Sequence, residues 1–152
     1  MRYQSVDDRL IPSNIYDSLI SFIPRLKNIE YAKLYPEQQT GDGSIEHPFQ
    51  MPFYEYADVV HEFEKEVYKF EKDHPEFQLN TYNNIFLMNG LRWDEEVMTK
   101  ADVSNANGQV VMALILGAIR AERFCDGTLK DFLELGCIEK WLLRLQEIAS
   151  KI

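Results

Sequence analysis

Cysteine is scarce in this chain. Cys125 and Cys137 are the only two, twelve positions apart, and neither has a histidine beside it. That pair is too sparse for a structural zinc site, which takes four ligands. Both are expected to be reduced thiols packed as small hydrophobes, since disulfides are rare in the cytosol. Long apolar runs are also missing. The longest, Val110 to Ile119, falls well short of the ~18 residues that read as a membrane span. The first ten residues carry Arg2, Asp7, Asp8 and Arg9 without an apolar stretch, so they do not form a secretory leader. A cytoplasmic protein with no membrane partner is expected.

The chain has no G-x-S-x-G element, no glycine-rich phosphate loop and no Lys-Ser/Thr following one. These absences remove the usual footing for nucleophilic catalysis and nucleotide binding, and no cofactor, metal or catalytic residue is assigned. Positive charge is in deficit: 16 Lys plus Arg stand against 25 Asp plus Glu, a net of −9. Such a surface repels phosphate backbones at long range, so no nucleic-acid partner is expected.

What is present is a globular composition, 45% hydrophobic and 27% charged over 152 residues, which fits a single domain spanning 1–152. Ser13 reads as an N-cap ahead of Ile15, Leu19, Phe22, Ile23 and Leu26, with Pro24 kinking this first helix or starting a second. Residues 35–52 hold Pro36, Gly41, Gly43, Pro48 and Pro52 and read as one long irregular loop, with a short turn at Asp42-Gly43. A second helix is expected from about Tyr54 to Asp73, its inner stripe formed by Tyr56, Val59, Val60, Phe63, Val67 and Phe70. Shorter helices follow from Asn80 or Thr81 to Gly90 and from Asp94 to Lys100.

The segment 107–124 is apolar almost all round between Val110 and Ile119, the mark of a central buried helix. Asp126-Gly127 is a turn, Thr128 to Leu135 a short helix closed by Gly136, and Ile138 to Lys151 a last helix with Trp141, Leu142, Leu145 and Ile148 inward. The expected fold is all-α: an irregular multi-helix bundle of about six helices around the buried helix 110–119.

Four residues concentrate charge at the end of that helix: Arg120, Glu122, Arg123 and Asp126. Two readings compete. In one they form a clamp, the arginines pairing with Glu122, Asp126 or a distant carboxylate and fixing the turn. In the other, Arg120 and Arg123 hold a small anion, because guanidinium forks grip carboxylate or phosphate bidentately. The helix dipole disfavours an anion at a C-terminus, so the clamp is preferred. A second cluster, Glu55, Asp58, His61 and Glu62, has an acid–histidine spacing seen in di-metal bundles. It lacks a matching pair elsewhere and reads as a solvated face. Residues 128–145 could be read as a helix-turn-helix, but Phe132 is bulky where close helix contact wants a small residue, and the second helix has no basic cluster.

The stretch Ile119-Arg120-Ala121-Glu122-Arg123-Phe124, the Asp126-Gly127 turn, the short helix ending at Gly136 and the final Leu143-Arg144-Leu145 together resemble the C-terminal signature of an uncharacterised bacterial domain-of-unknown-function family. Met51 to Tyr56 resembles that family's middle part. The resemblance covers most of the chain, is strongest in the last third, and implies no activity. It marks Arg120, Arg123, Asp126 and Gly127 as a characteristic group. The functional expectation is a non-enzymatic interaction or regulatory protein, a homo-oligomer or part of a complex. The alternative is a small-anion binder or enzyme using Arg120 and Arg123 near the 35–52 loop.

Overall fold

The computed structural model describes residues 2–36, 41–49 and 51–151. A 3-10 turn at Ser13–Tyr16 leads into two single-turn helices, α1 (Asp17–Ile20) and α2 (Phe22–Arg25). An antiparallel strand pair follows, β1 (Ala32–Tyr35) and β2 (Phe53–Tyr56). The rest is helical: α3 (Asp58–Asp73), α4 (Tyr82–Met88), α5 (Glu95–Lys100), α6 (Gly108–Ala121), α7 (Thr128–Glu134) and α8 (Cys137–Ser150). The protein is thus a mostly helical, multi-helix fold with one small sheet.

Helix α6 is the axis. Asn107 caps it, its side-chain oxygen accepting the Val110 N–H at 2.9 Å. Every residue from Gly108 to Ile119 is buried, and α4, α7 and α8 pack against it. A helix apolar on every side is stable only when neighbours cover all of it, and the short helices do so. The single buried amide in its first turn, Gln109, accepts from the Val6 N–H (3.1 Å) and donates to the carbonyls of Gln4 (3.0 Å) and Phe77 (2.9 Å). It thereby ties the N-terminal segment to the turn after α3.

Helix α8 supplies Trp141, Leu142, Leu145 and Ile148 to the core, all buried, so its apolar face is already covered within the chain. Its polar side also has structural work. Arg144 donates from Nε (3.0 Å) and Nη2 (2.8 Å) to the Ala106 carbonyl, and Lys140 donates to the carbonyls of Thr99 and Ala101, each at 3.2 Å. These contacts hold the segment that leads into α6. Among the described residues no helix is long and apolar enough to cross a membrane.

Several expectations need correction. The described residues hold six longer α-helices, in keeping with the bundle of about six that was expected, and the two single-turn helices α1 and α2. The first expected helix is interrupted at Ser21, one turn before Pro24, which has no N–H to offer the Ile20 carbonyl. Ser13 lies inside the 3-10 turn rather than capping it, and Asn80 sits within another 3-10 turn, Leu79–Thr81. Tyr54 to Tyr56, read as the start of the long helix, are strand.

The connection read as loop over 35–52 begins on the last residue of β1, Tyr35, and leads directly into β2, with Tyr35 paired to Phe53 and Ala32 to Tyr56. Residues 37–40 and 50 of it lie outside the described residues. Its tip is a turn in which the N–H groups of Asp42 and Gly43 both donate to the His47 carbonyl. Cys137 is buried, but Cys125 is exposed and lies in the turn after α6, not in a packed helix.

Candidate functional site

The four charged residues at the end of α6 turn in two directions. Glu122 and Asp126 face β2 and α7. Arg120 and Arg123 face α3.

Helix α7 starts at Gly127, whose φ of 92° lies in the left-handed region and which has no side chain to act as a cap. A Cβ there would stand 2.8 Å from the Tyr54 ring, so both the backbone conformation and the close approach require glycine. Helix starts leave orphan N–H groups, and here Glu122 takes them. Its carboxylate accepts from Gly127 N–H (3.0 Å) and Leu129 N–H (3.0 Å). It also accepts the Tyr56 hydroxyl at 2.7 Å. The Tyr56 oxygen in turn accepts the Lys130 N–H at 2.9 Å, and Thr128 N–H donates to the Cys125 carbonyl.

One carboxylate and one phenol from β2 thus replace the missing cap. Burial, then the hydrogen bond to Glu122, push the Tyr56 phenol far above the ordinary tyrosine range. Asp126 completes the link by accepting the Tyr54 N–H at 2.9 Å. The side-chain ammonium of Lys130 lies 5.2 Å from the centre of the Tyr54 ring.

Arg120 is partly buried. Its Nη2 stands 3.5 Å from Glu71 Oε2 on α3, and its guanidinium lies 5.8 Å from the Tyr68 ring centre and 5.7 Å from that of Tyr82. The contact with Glu71 is an ion pair without a formed hydrogen bond: both Arg120 Nε and Glu71 Oε2 are buried with no hydrogen-bond partner among the described residues. Arg123 is exposed. It donates to the Tyr68 hydroxyl at 3.2 Å and also faces that ring, 5.9 Å from its centre. Glu64 on α3 is close enough to Arg123 and Glu122 to feel both charges, and burial raises its carboxyl above the usual range.

The sequence reading therefore brings together four residues that the fold divides. Their partners Tyr54, Tyr56, Tyr68, Glu71 and Tyr82 were not singled out for this role. One signal was available. In Phe53-Tyr54-Glu55-Tyr56 the tyrosines alternate, which in a strand places Tyr54 and Tyr56 on one side. The Glu55/Asp58/His61/Glu62 group sits on solvent-exposed positions. Among the described residues no group of three His, Cys, Asp or Glu side chains is placed to share a metal ion.

Two depressions border these elements. One, of about 650 Å³, runs between α8 and residues 101–104, where the Lys140 and Arg144 heads are taken by backbone carbonyls. The other, of about 280 Å³, lies between α5, the end of α6 and α7, and is walled by aromatic side chains.

Compared with known proteins, no curated protein and no solved structure matches the chain. A family model does match, over residues 11–151, and its description is a family of unknown function (DUF6508).

Proposed function

The chain belongs to this family of unknown function, and from its surface we propose that it is an interaction protein, pairing with a second copy of itself through the arm made by β1, β2 and their connection. One observation carries the reading. Half of the large apolar side chains exposed among the described residues lie in this arm: Leu34, Tyr35, Ile45, Phe49, Met51 and Phe53. Ile45 is 100% exposed, Met51 85% and Phe49 60%. Monomers rarely leave so many large apolar side chains uncovered in one segment.

A second copy is the occupant that the arm fits. Among the described residues the sheet has two strands, so each has an edge without a strand partner there, and two-stranded sheets are marginal alone. An open edge is a template for another strand. A two-fold partner would supply the same edge and the same apolar side chains. With −9 net charge on each copy, apolar contact and backbone pairing rather than ion pairs must drive the association. A cytoplasmic setting is supported by two free thiols, one of them exposed.

The test is a double substitution, Met51→Lys with Phe53→Lys, followed by light scattering on a sizing column. Both side chains are exposed, so the melting midpoint should hold. The dimer should weaken by at least ~100-fold, the loss expected when central anchors of an interface are replaced by charge. A variant that stays dimeric would remove the arm from the interface.

A second reading keeps Arg120 and Arg123 as an anion site. It is supported by the unpartnered Nε of Arg120 and by two guanidiniums around one tyrosine ring. Against it, Glu71 already stands beside Arg120. Arg123→Ala separates the readings. As an exposed residue it should change stability by no more than about 0.5 kcal/mol. If the protein's melting midpoint rises with inorganic phosphate beyond a chloride control, and Arg123→Ala abolishes the rise, the anion reading holds. No rise in the wild-type protein retires it.

A further inference from the structure

We propose that the 280 Å³ cleft between α5, the end of α6 and α7 is a binding site for a small organic cation of the alkylammonium class. This proposal does not depend on the arm.

The cleft has a fixed wall, a free wall, a floor and a charged rim. Trp93 is the fixed wall, its Nε1–H held by the Gly117 carbonyl at 2.9 Å. Phe124 meets it edge-on, ring centres 5.4 Å apart and planes at 84°. Phe124 is 78% exposed, so the core does not explain an aromatic residue there. Met98 and Phe132, both buried, close the bottom. The faces of Trp and Phe carry partial negative charge and attract a cation placed over them.

The rim supplies the formal charge. Asp94 and Glu95 line the cleft, and Asp131 on α7, just outside its lining, is near enough for Glu95 to feel its charge. Two carboxylates that close repel one another. Burial first, and then the Asp131 charge, hold the Glu95 carboxyl above its ordinary range. A cation in the cleft beside Glu95 would offset that repulsion. Among the described residues no lysine or arginine lines the cleft. Lys130 on α7 does feel Asp131, but its ammonium is bonded to Glu134 at 2.9 Å.

Size narrows the class. A cleft of this volume is at the lower limit of ligand pockets, which suits a cation of a few carbons. Its apolar walls favour an alkylated ammonium over a hydrated metal ion, which would want a shell of oxygens.

The test compares choline with its neutral carbon isostere, 3,3-dimethylbutan-1-ol, added to the full chain at constant ionic strength. The readout is the Trp93 indole N–H resonance, with buried Trp141 as internal reference. Choline should shift Trp93 saturably in the millimolar range, and the alcohol should bind about 10-fold more weakly, the ratio that cation–π and carboxylate contacts supply. Glu95→Gln combined with Asp131→Asn should remove most of that preference while leaving the alcohol's affinity unchanged. Phe124→Ala should weaken both ligands. Equal binding of choline and the alcohol would overturn the cation assignment. No Trp93 shift with choline well above the millimolar range would overturn the site.

Discussion

Alanine in place of Gly108 should destabilise the protein by about 2–3 kcal/mol, the upper part of the range for inserting volume into a packed interior. In a chain of this size the melting midpoint should fall by about 5–10 °C. Gly108 is buried in the first turn of α6, where its N–H donates to Asp8 Oδ1 at 2.9 Å. A Cβ on it would stand 2.0 Å from the Tyr16 hydroxyl oxygen and 2.9 Å from Cζ. Tyr16 cannot readily yield. It is fully buried, stacked on Phe70 at 5.7 Å and edge-on to Phe77 at 6.3 Å.

The same geometry predicts a rescue. The Tyr16 hydroxyl is buried with no hydrogen-bond partner among the described residues, so Tyr16→Phe alone should be neutral or slightly stabilising. Combined with Gly108→Ala it should recover part of the loss, because the 2.0 Å clash goes and the 2.9 Å one stays. Urea unfolding of the four proteins checks this. A Gly108→Ala protein within about 0.5 kcal/mol of wild type would show that α6 can shift away from Tyr16.

Glu122→Ala should be at least as damaging, at about 2–4 kcal/mol, because it leaves the Gly127 and Leu129 N–H groups and the Tyr56 hydroxyl without their acceptor. Gln at this position keeps an acceptor oxygen and loses the charge-assisted part, so Glu122→Gln should cost about 1–2 kcal/mol. Tyr56→Phe removes the acceptor of the Lys130 N–H as well as the donor to Glu122. The two residues should show a coupling of about 1 kcal/mol in a double-mutant cycle. Amide hydrogen exchange adds a local readout: in Glu122→Ala the amides of residues 127–130 should lose protection while those of α6 keep theirs. Uniform loss across both helices would mean that Glu122 does not act locally at the start of α7.

These two predictions mark what was and was not legible beforehand. Helix α6 could be read directly, since ten consecutive positions from Val110 with almost no polar side chain describe a helix covered on all sides. The last helix was equally plain in the spacing of Trp141, Leu142, Leu145 and Ile148. Both signals are local, and period and capping residues such as Asn107 carry them.

The strands were not legible for the opposite reason. Phe53-Tyr54-Glu55-Tyr56 is too short for its period to be told from the first turn of the helix that follows, and its partner strand lies about twenty residues earlier. The charged group at 120–126 was legible as a group but not as an arrangement. Glu122 bonds Tyr56 across 66 positions, and Arg123 bonds Tyr68 across 55. Adjacency in sequence suggested that the arginines and acids serve one another. On a helix end, consecutive side chains point in different directions, and each found a partner from a different element.

Native mass spectrometry of the purified full chain tests the proposed function most directly. The expected spectrum is a dimer at twice the 17.9 kDa chain mass, giving way to monomer in the Met51→Lys, Phe53→Lys variant. A wild-type protein that stays monomeric at micromolar concentration, or a monomer carrying an added mass that disappears in Arg120→Ala, would contradict it.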